Sequence, residues 1–326
     1  MDRRVAVSGA ALLCCVGSGS IRAQQARVAR VSWITMELTN PKTPFWLGFR
    51  RGMHELGWTE GQNITISPWW ADGSLDRLKQ QIPDIIGSRP DVMVVASGPA
   101  VPTMIDAGVQ QPIVFAYSAD PVVGKLVQSW AKPGVNRTGI SYFSLELLPK
   151  RLEFTKQLLP QMKRMAIVGW PSHAGESLEL DSAKVAANHL GLTTRYWGVA
   201  TATEVEAALT EIEAWRAEAI LVFGGAVAAQ QAGRFAAFGA ARRIPSISAW
   251  AAFADAGNLM TYGPSIQEAQ VRLASFVDRI LKGTQAAEIP VELPTKIELV
   301  FNLKAAKAMG IDVPASMLVR ADRVIN

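Results

Sequence analysis

Short runs of almost uninterrupted apolar residues, each followed by a stretch with apolar positions at helical spacing, recur along this chain and constrain its fold more than any other feature. "VMVV" within residues 91–96, "PIVFAY" at 112–117 and "AILVF" within 217–225 show no polar–apolar alternation. A strand of that kind is buried on both faces, which calls for a parallel sheet covered by helices on each side. Strands are expected at 29–36, 63–70, 91–96, 112–117 and 137–143, with helices at 43–58, 74–90, 100–110 and 121–131 between them. The pattern then restarts. Helices at 148–160, 178–191, 203–215 and 227–243 alternate with strands at 164–170, 193–199, 217–225 and 244–250. Two successive α/β units follow, divided near residues 139–144, and a length of 326 residues accommodates both.

The tail does not close the second unit neatly. A strand at 257–263 leads to a long amphipathic helix at 265–283, an extended segment at 290–302 and a last helix at 303–310. The long helix can pack back on the first unit, which would make the connection between units multiple. At the other end, "MDRR" gives a positive start, "VAVSGAALLCCVG" an apolar stretch and "SGSIRAQQ" a small-residue cleavage region. Residues 1–23 therefore read as a secretory signal peptide. Both cysteines, Cys14 and Cys15, lie inside it, so no disulfide, thiol nucleophile or thiolate-bound metal is expected in the mature chain. Loss of Arg3, Arg4, Arg22 and Asp2 takes the formal charge from +5 to +3. No dense Lys/Arg cluster remains, so no nucleic-acid partner is expected. No later apolar run reaches the roughly 20 residues of a membrane helix.

In open parallel sheets, ligands bind beyond the carboxyl ends of the strands. After strand 91–96 come Ser97, Gly98, Pro99 and Ala100, small residues leading into a helix whose free amides favour a carboxylate. The same residues also suit a plain serine-capped turn. After strand 112–117 come Tyr117, Ser118 and Asp120; the aspartate can hold a ligand ammonium, or it can simply make an Asx turn or cap helix 121–131. Together the two loops suit a zwitterion. Strand ends of the second unit supply Ser172 and His173, Gly224, and Trp250, and Tyr262 also lies near a strand end. Aromatic residues gather at these edges, and Trp250, Trp33 and Trp170 are expected to face the cleft.

Catalytic constellations are absent from the sequence. No G-x-G-x-x-G follows the first strand, no Walker loop or G-x-S-x-G elbow occurs, and the three histidines are scattered. "FRRGMHELGWTEGQNITI", "WADGSLDRL", "QQPIVFAYSADPVVGKLVQSWAKPGVNRTGIS", "KRLEFTKQLLP", "GNLMTYGPS", "RILKGTQAAEIPVELPTKIELVFNLKAAKAMGIDVP" and the closing "ADRVIN" appear in order along nearly the whole chain. With these segments the sequence resembles the extracytoplasmic solute-binding proteins of ABC importers, in the branch that includes tryptophan- and phenylalanine-binding members. The resemblance implies a type I periplasmic binding fold: two doubly wound parallel-sheet lobes joined by three hinge crossings, near residues 138–142, 260–263 and 294–297. It implies an N-terminal lobe of 24–140 plus 262–295 and a C-terminal lobe of 141–261 plus 296–326. The expected function is capture of a small solute, an amino acid or aromatic carboxylate, in the periplasm by lobe closure. The partner is a membrane permease; no cofactor, metal or covalent membrane anchor is expected, and the protein is expected to be a monomer. The residue-level expectation is a ligand site built from Ser97, Gly98, Pro99, Ala100, Tyr117, Ser118, Asp120, Ser141, Ser172, Gly224, Trp250 and Tyr262. This sequence departs from many relatives in having Ser97-Gly98-Pro99 where they carry Gly-Thr-Pro. The alternative is a secreted α/β enzyme using Asp120 or His173 as its acid–base group.

Overall fold

The apolar runs become the central strands of two sheets. The computed structural model describes residues 27–142, 145–171, 173, 175–224 and 226–326, with the side chains of 226–228 excepted. The expected signal segment 1–23 and the site residue Ser172 lie outside the described residues. The first sheet contains β1 (Ala29–Thr35), β2 (Ile64–Trp70), β3 (Val92–Val95), β4 (Ile113–Tyr117) and β5 (Arg137–Ser141). It is parallel throughout, in the order β2-β1-β3-β4-β5. The second contains β6 (Arg164–Gly169), β7 (Thr193–Gly198), β8 (Ala219–Val222), β9 (Ser246–Ser248), β10 (Met260–Pro264), β11 (Ile297–Asn302) and β12 (Arg323–Ile325). Its order is β12-β11-β10-β9-β8-β6-β7, parallel except between β10 and β11. Both sheets are doubly wound, reversing direction between β1 and β3 in one lobe and between β6 and β8 in the other.

Helices α1 (Pro44–Glu55), α2 (Leu75–Gly87) and α3 (Ala100–Asp106) follow the first three strands. In the second lobe come α4 (Leu147–Leu158), α5 (Glu176–His189), α6 (Ala202–Ala214), α7 (Ala226–Arg242) and α8 (Ala251–Asp255). The chain then adds α9 (Ile266–Leu281), α10 (Leu303–Met309) and α11 (Ala315–Leu318). Strand β1 shows why the first sheet needs two helical layers. Ala29, Val31 and Trp33 pack toward Phe49 and Met53 of α1 and Leu273 and Phe276 of α9. Ile34 and Met36 pack on the opposite side with Leu78 of α2 and Met104 of α3. Burying each of these larger side chains contributes about 1.5–3 kcal/mol relative to leaving it in water.

The long helix α9 returns to the first lobe, although it is reached only after the second lobe's chain. Glycines on α1 permit the close approach: a Cβ on Gly48 would lie 2.6 Å from the Gln267 carbonyl oxygen, and one on Gly52 would lie 2.5 Å from that of Val271. Arg51 donates to Glu268 at 2.7 Å, and the Trp58 indole to Asp278 at 2.9 Å, across the same seam. The chain therefore crosses between lobes three times: after β5, between β10 and α9, and before β11. At the third crossing Glu292 bridges to Ile140 beside β5, and Ser265 donates its amide to Lys296 where the second and third crossings run together.

One expected helix does not form. Residues 121–131 are a series of turns. The Asp120 carboxylate accepts the amides of Val122 and Val123 at 2.7 and 2.9 Å, and Lys125 takes a positive φ of 55°, which a continuing helix does not allow. The Tyr117 phenol fills the space beside Gly124, where a Cβ would lie 2.8 Å from its oxygen. The short elements α8, α11 and β12 were absent from the sequence reading.

Candidate functional site

Where the strand ends of the two sheets face each other, the structure leaves a cleft of about 220 Å³. The first lobe contributes Glu37, Leu38 and Asn40 after β1, Thr43 and Phe45 at the start of α1, and Ala96, Ser97 and Gly98 after β3. Ala116 and Ser118 come from the end of β4, and Tyr142 from the end of β5. The second lobe contributes Ala229 and Gln230 of α7, and Trp250 after β9. The cavity thus opens at the β1/β3 reversal, where a doubly wound sheet leaves a crevice because its flanking connections diverge.

Three aromatic rings form one wall. Phe45, Tyr142 and Trp250 stand edge-to-face in a triangle, with centroid separations of 6.4, 5.9 and 5.9 Å. Trp250 belongs to the second lobe by chain position, yet it packs within the first lobe's apolar cluster. The Tyr142 hydroxyl accepts from Gln270 Nε2 at 2.7 Å, and burial raises its pKa. An edge-to-face cluster of this kind presents both ring faces and ring edges to an occupant.

The polar side of the cavity holds one carboxyl among hydroxyl and carboxamide side chains. Glu37 follows β1 directly and is the one charged residue among the described lining. Burial pushes its carboxyl up to about 7, opposed by a hydrogen bond with the Thr43 side chain. Its Oε2 is buried and has no hydrogen-bond partner, and the Ser97 hydroxyl is in the same condition. Thr43 also caps α1 by accepting the Trp46 amide at 3.3 Å. Ser118 reaches across the cleft: its Oγ lies 2.8 Å from His173 Nε2 in the second lobe. His173 Nδ1 lies 3.6 Å from Glu179, and nearby Arg151 is buried and donates from Nε to the Tyr262 carbonyl at 2.6 Å.

The residues expected from sequence separate into those that line the cavity and those that support it. Ser97, Gly98, Ser118 and Trp250 line it. Tyr117 lies beneath, in the apolar layer with Phe115 and against Gly124. Ala100 is buried in the same layer, and Pro99 begins α3 without a side-chain cap. The amides of Ala100 and Val101 turn back to the carbonyls of Ser97 and Gly98, so the helix start does not hold them open for an anion. Asp120 is engaged with its own turn, as described above, and is outside the lining. Ser141 donates to the Ala119 carbonyl at 2.8 Å and holds the β4 and β5 ends together. Gly224 lies under Trp250, where a Cβ would come within 3.5 Å of the indole nitrogen. Tyr262 faces Phe154 in the second lobe's core, 5.2 Å between centroids.

The tryptophan expectation needs correction at two of three positions. Trp33 is fully buried in the middle of β1, in contact with Trp46 and Trp70. Trp170 is buried in the second lobe's core with Trp197 and Phe253. Glu37, Thr43, Phe45 and Gln230 were missed, although the strand-end rule applied to β1 points directly at Glu37. Among the described residues, no group of three or more His, Cys, Asp or Glu is placed to hold a metal ion.

The family model described as "ABC transporter substrate binding protein" matches residues 44–325. A tyrosine-binding protein of Clostridioides difficile is 23% identical over 265 residues, covering 81% of this chain and 76% of that protein. The crystal structure of a conserved domain protein from Vibrio cholerae has a TM-score of 0.84 at 25% identity, covering 91% of this chain and all of that one. A structure from Streptococcus pneumonia, described as an ABC domain in complex with L-Trp, has a TM-score of 0.84 at 22% identity and covers 91% and 99% of the two chains.

Proposed function

Since this chain belongs to the family of ABC transporter substrate binding proteins, we propose that it is the extracytoplasmic receptor of an importer and delivers a small aromatic solute to a membrane permease. Members of the family bind rather than transform their substrates, so the alternative of a secreted enzyme is set aside. The solute class is carried by one observation: the ring triangle of Phe45, Tyr142 and Trp250, which walls a cavity of about 220 Å³ between the lobes. Pockets for drug-sized ligands span roughly 300–1,000 Å³, so this one suits a single amino acid with its ring against the aromatic wall. The tyrosine-binding and L-Trp-bound relatives support an aromatic amino acid.

The mechanism is closure. A solute that touches both walls at once stabilises the arrangement in which the lobes meet, and its differential contacts set how far the equilibrium moves. Ser118 and His173, bonded across the mouth of the cleft at 2.8 Å, belong to that closed arrangement. The permease then distinguishes closed from open receptors. Export through the N-terminal signal would put the protein in the periplasm as a monomer. Titration calorimetry against a panel of amino acids, with small-angle scattering of the free and saturated protein, tests this reading. Aromatic members should bind and leave a scattering profile at least as compact as that of the free protein. Selective binding of an aliphatic or sugar ligand would refute it.

A further inference from the structure

We infer that the group this cleft selects on its solute is a protonated amine received by Glu37, and that a carboxylate on the solute is dispensable. The inference rests on the reading of the cleft as the solute site, and it specifies the chemistry of that site.

Charge and partnering both favour it. Glu37 is the single charged residue in the described lining, and no Lys, Arg or His joins it there. One of its oxygens is buried without a partner. A buried carboxylate in that condition pays for its desolvation either by taking a proton or by meeting a cation. The side chains facing it are the Thr43 hydroxyl, which hydrogen-bonds it, and the Tyr142 phenol, whose oxygen already accepts from Gln270. Neither supplies positive charge, so the counter-ion is left to the occupant. An ammonium placed there also lies in a cavity walled by Tyr142 and Trp250, aromatic rings whose faces attract cations.

A solute carboxylate finds no cation in the lining, only neutral donors: the unpartnered Ser97 hydroxyl and the carboxamides of Asn40 and Gln230, while the Ser118 hydroxyl is already engaged with His173. The amides of Ala100 and Val101 are turned to carbonyls of their own loop. An acid without an amine would add a second negative charge to a small cavity that already holds Glu37, and like charges at that range disfavour each other's ionised forms. A zwitterion is admitted because its amine neutralises Glu37 first. Asp120, the other carboxylate near the cleft, is satisfied by the amides of Val122 and Val123 and is outside the lining.

The test is calorimetric titration of the full protein with L-tryptophan, tryptamine and indole-3-propionate, and with the matching phenol series, in two buffers of different ionisation enthalpy near pH 7. The amino acid and the amine of one series should bind within about tenfold of each other, and the acid roughly ten- to hundredfold more weakly, because it lacks the ionic hydrogen bond. Amine binding should release about half a proton, because a carboxyl with a pKa of about 7 is half protonated there. Glu37→Gln keeps the shape and should weaken amine binding by roughly ten- to hundredfold, the range for an ionic hydrogen bond. It should also abolish the proton release and narrow the gap to the acid. If wild-type protein binds the amine-free acid as tightly as the amino acid, or if Glu37→Gln leaves amine affinity and proton release unchanged, the inference is overturned while the aromatic-solute reading survives. If neither series binds, that reading falls and takes the inference with it.

Discussion

The burial of Glu37 makes the stability of the solute-free protein depend on pH in a direction opposite to that of an ordinary salt-bridged carboxylate. Its pKa is raised in the folded state, from 4.5 to about 7. Between those values the folded chain holds more proton than the unfolded one, so stability falls as pH rises through this window and then levels off. A shift of about 2.5 units at 1.36 kcal/mol each sets a ceiling of about 3 kcal/mol. The side chain lies in a cleft that water can reach, and roughly half of that ceiling is the expected effect. Glu37→Gln removes the titration without changing the shape. The variant should match wild type near pH 4.5 and exceed it by about 1–2 kcal/mol at pH 8, or roughly 2–8 °C in melting temperature for a unit of this size. Urea unfolding followed by tryptophan emission, to which the first lobe contributes the Trp33–Trp46–Trp70 cluster, gives the stability at each pH. Parallel pH–stability curves for the two proteins would refute the reasoning, because they would mean that Glu37 meets no burial cost.

Three further outcomes follow from the same geometry. Trp250→Phe should remove most of the ligand-induced change in tryptophan emission and weaken binding several-fold, since Trp33 and Trp170 are enclosed in the lobe cores; a titration with unaltered signal amplitude would remove Trp250 from the wall. His173→Ala deletes the side-chain bond to Ser118 across the cleft, and a net hydrogen bond of about 0.5–1.5 kcal/mol should shift the free protein toward more open lobes. Scattering should then give a larger radius for the unliganded variant than for wild type, and identical radii would count against the bridge. Asp120→Asn should leave solute affinity within about twofold, because asparagine can accept the same two backbone amides. A tenfold loss by calorimetry would return Asp120 to the site.

The two sheets were legible because their strands are covered on both faces, a condition that leaves its mark as unbroken apolar runs. The misread helix at 121–131 shows the limit of that signal. Val122, Val123, Leu126 and Val127 imitate helical spacing, but the backbone leaves the helical region at Lys125, and the Tyr117 phenol packed beside Gly124 is a contact made by the fold and not by the spacing. Trp33 was misplaced through parity: it shares its face with Val31, which points to the α1 and α9 layer and not to the strand end. Glu37 was within reach of the strand-end rule, and reading the rule from β3 onward passed it by. By contrast, nothing in the sequence could pair Phe45 with Trp250, because their meeting depends on how the lobes dock.

The return of α9 to the first lobe has a consequence for the order in which the protein can be made. Arg51 on α1 meets Glu268 on α9 from 217 positions away. At 5–20 residues per second, roughly 10–40 s of synthesis separate the two partners. Throughout that interval the α1 face around Gly48 and Gly52 has no helix to receive it, and from residue 141 onward every strand of the first sheet has already been made. The nascent first lobe is therefore an incomplete folding unit until the second lobe has been synthesised, and a fragment ending before residue 266 lacks the layer that covers Trp33, Phe49 and Met53.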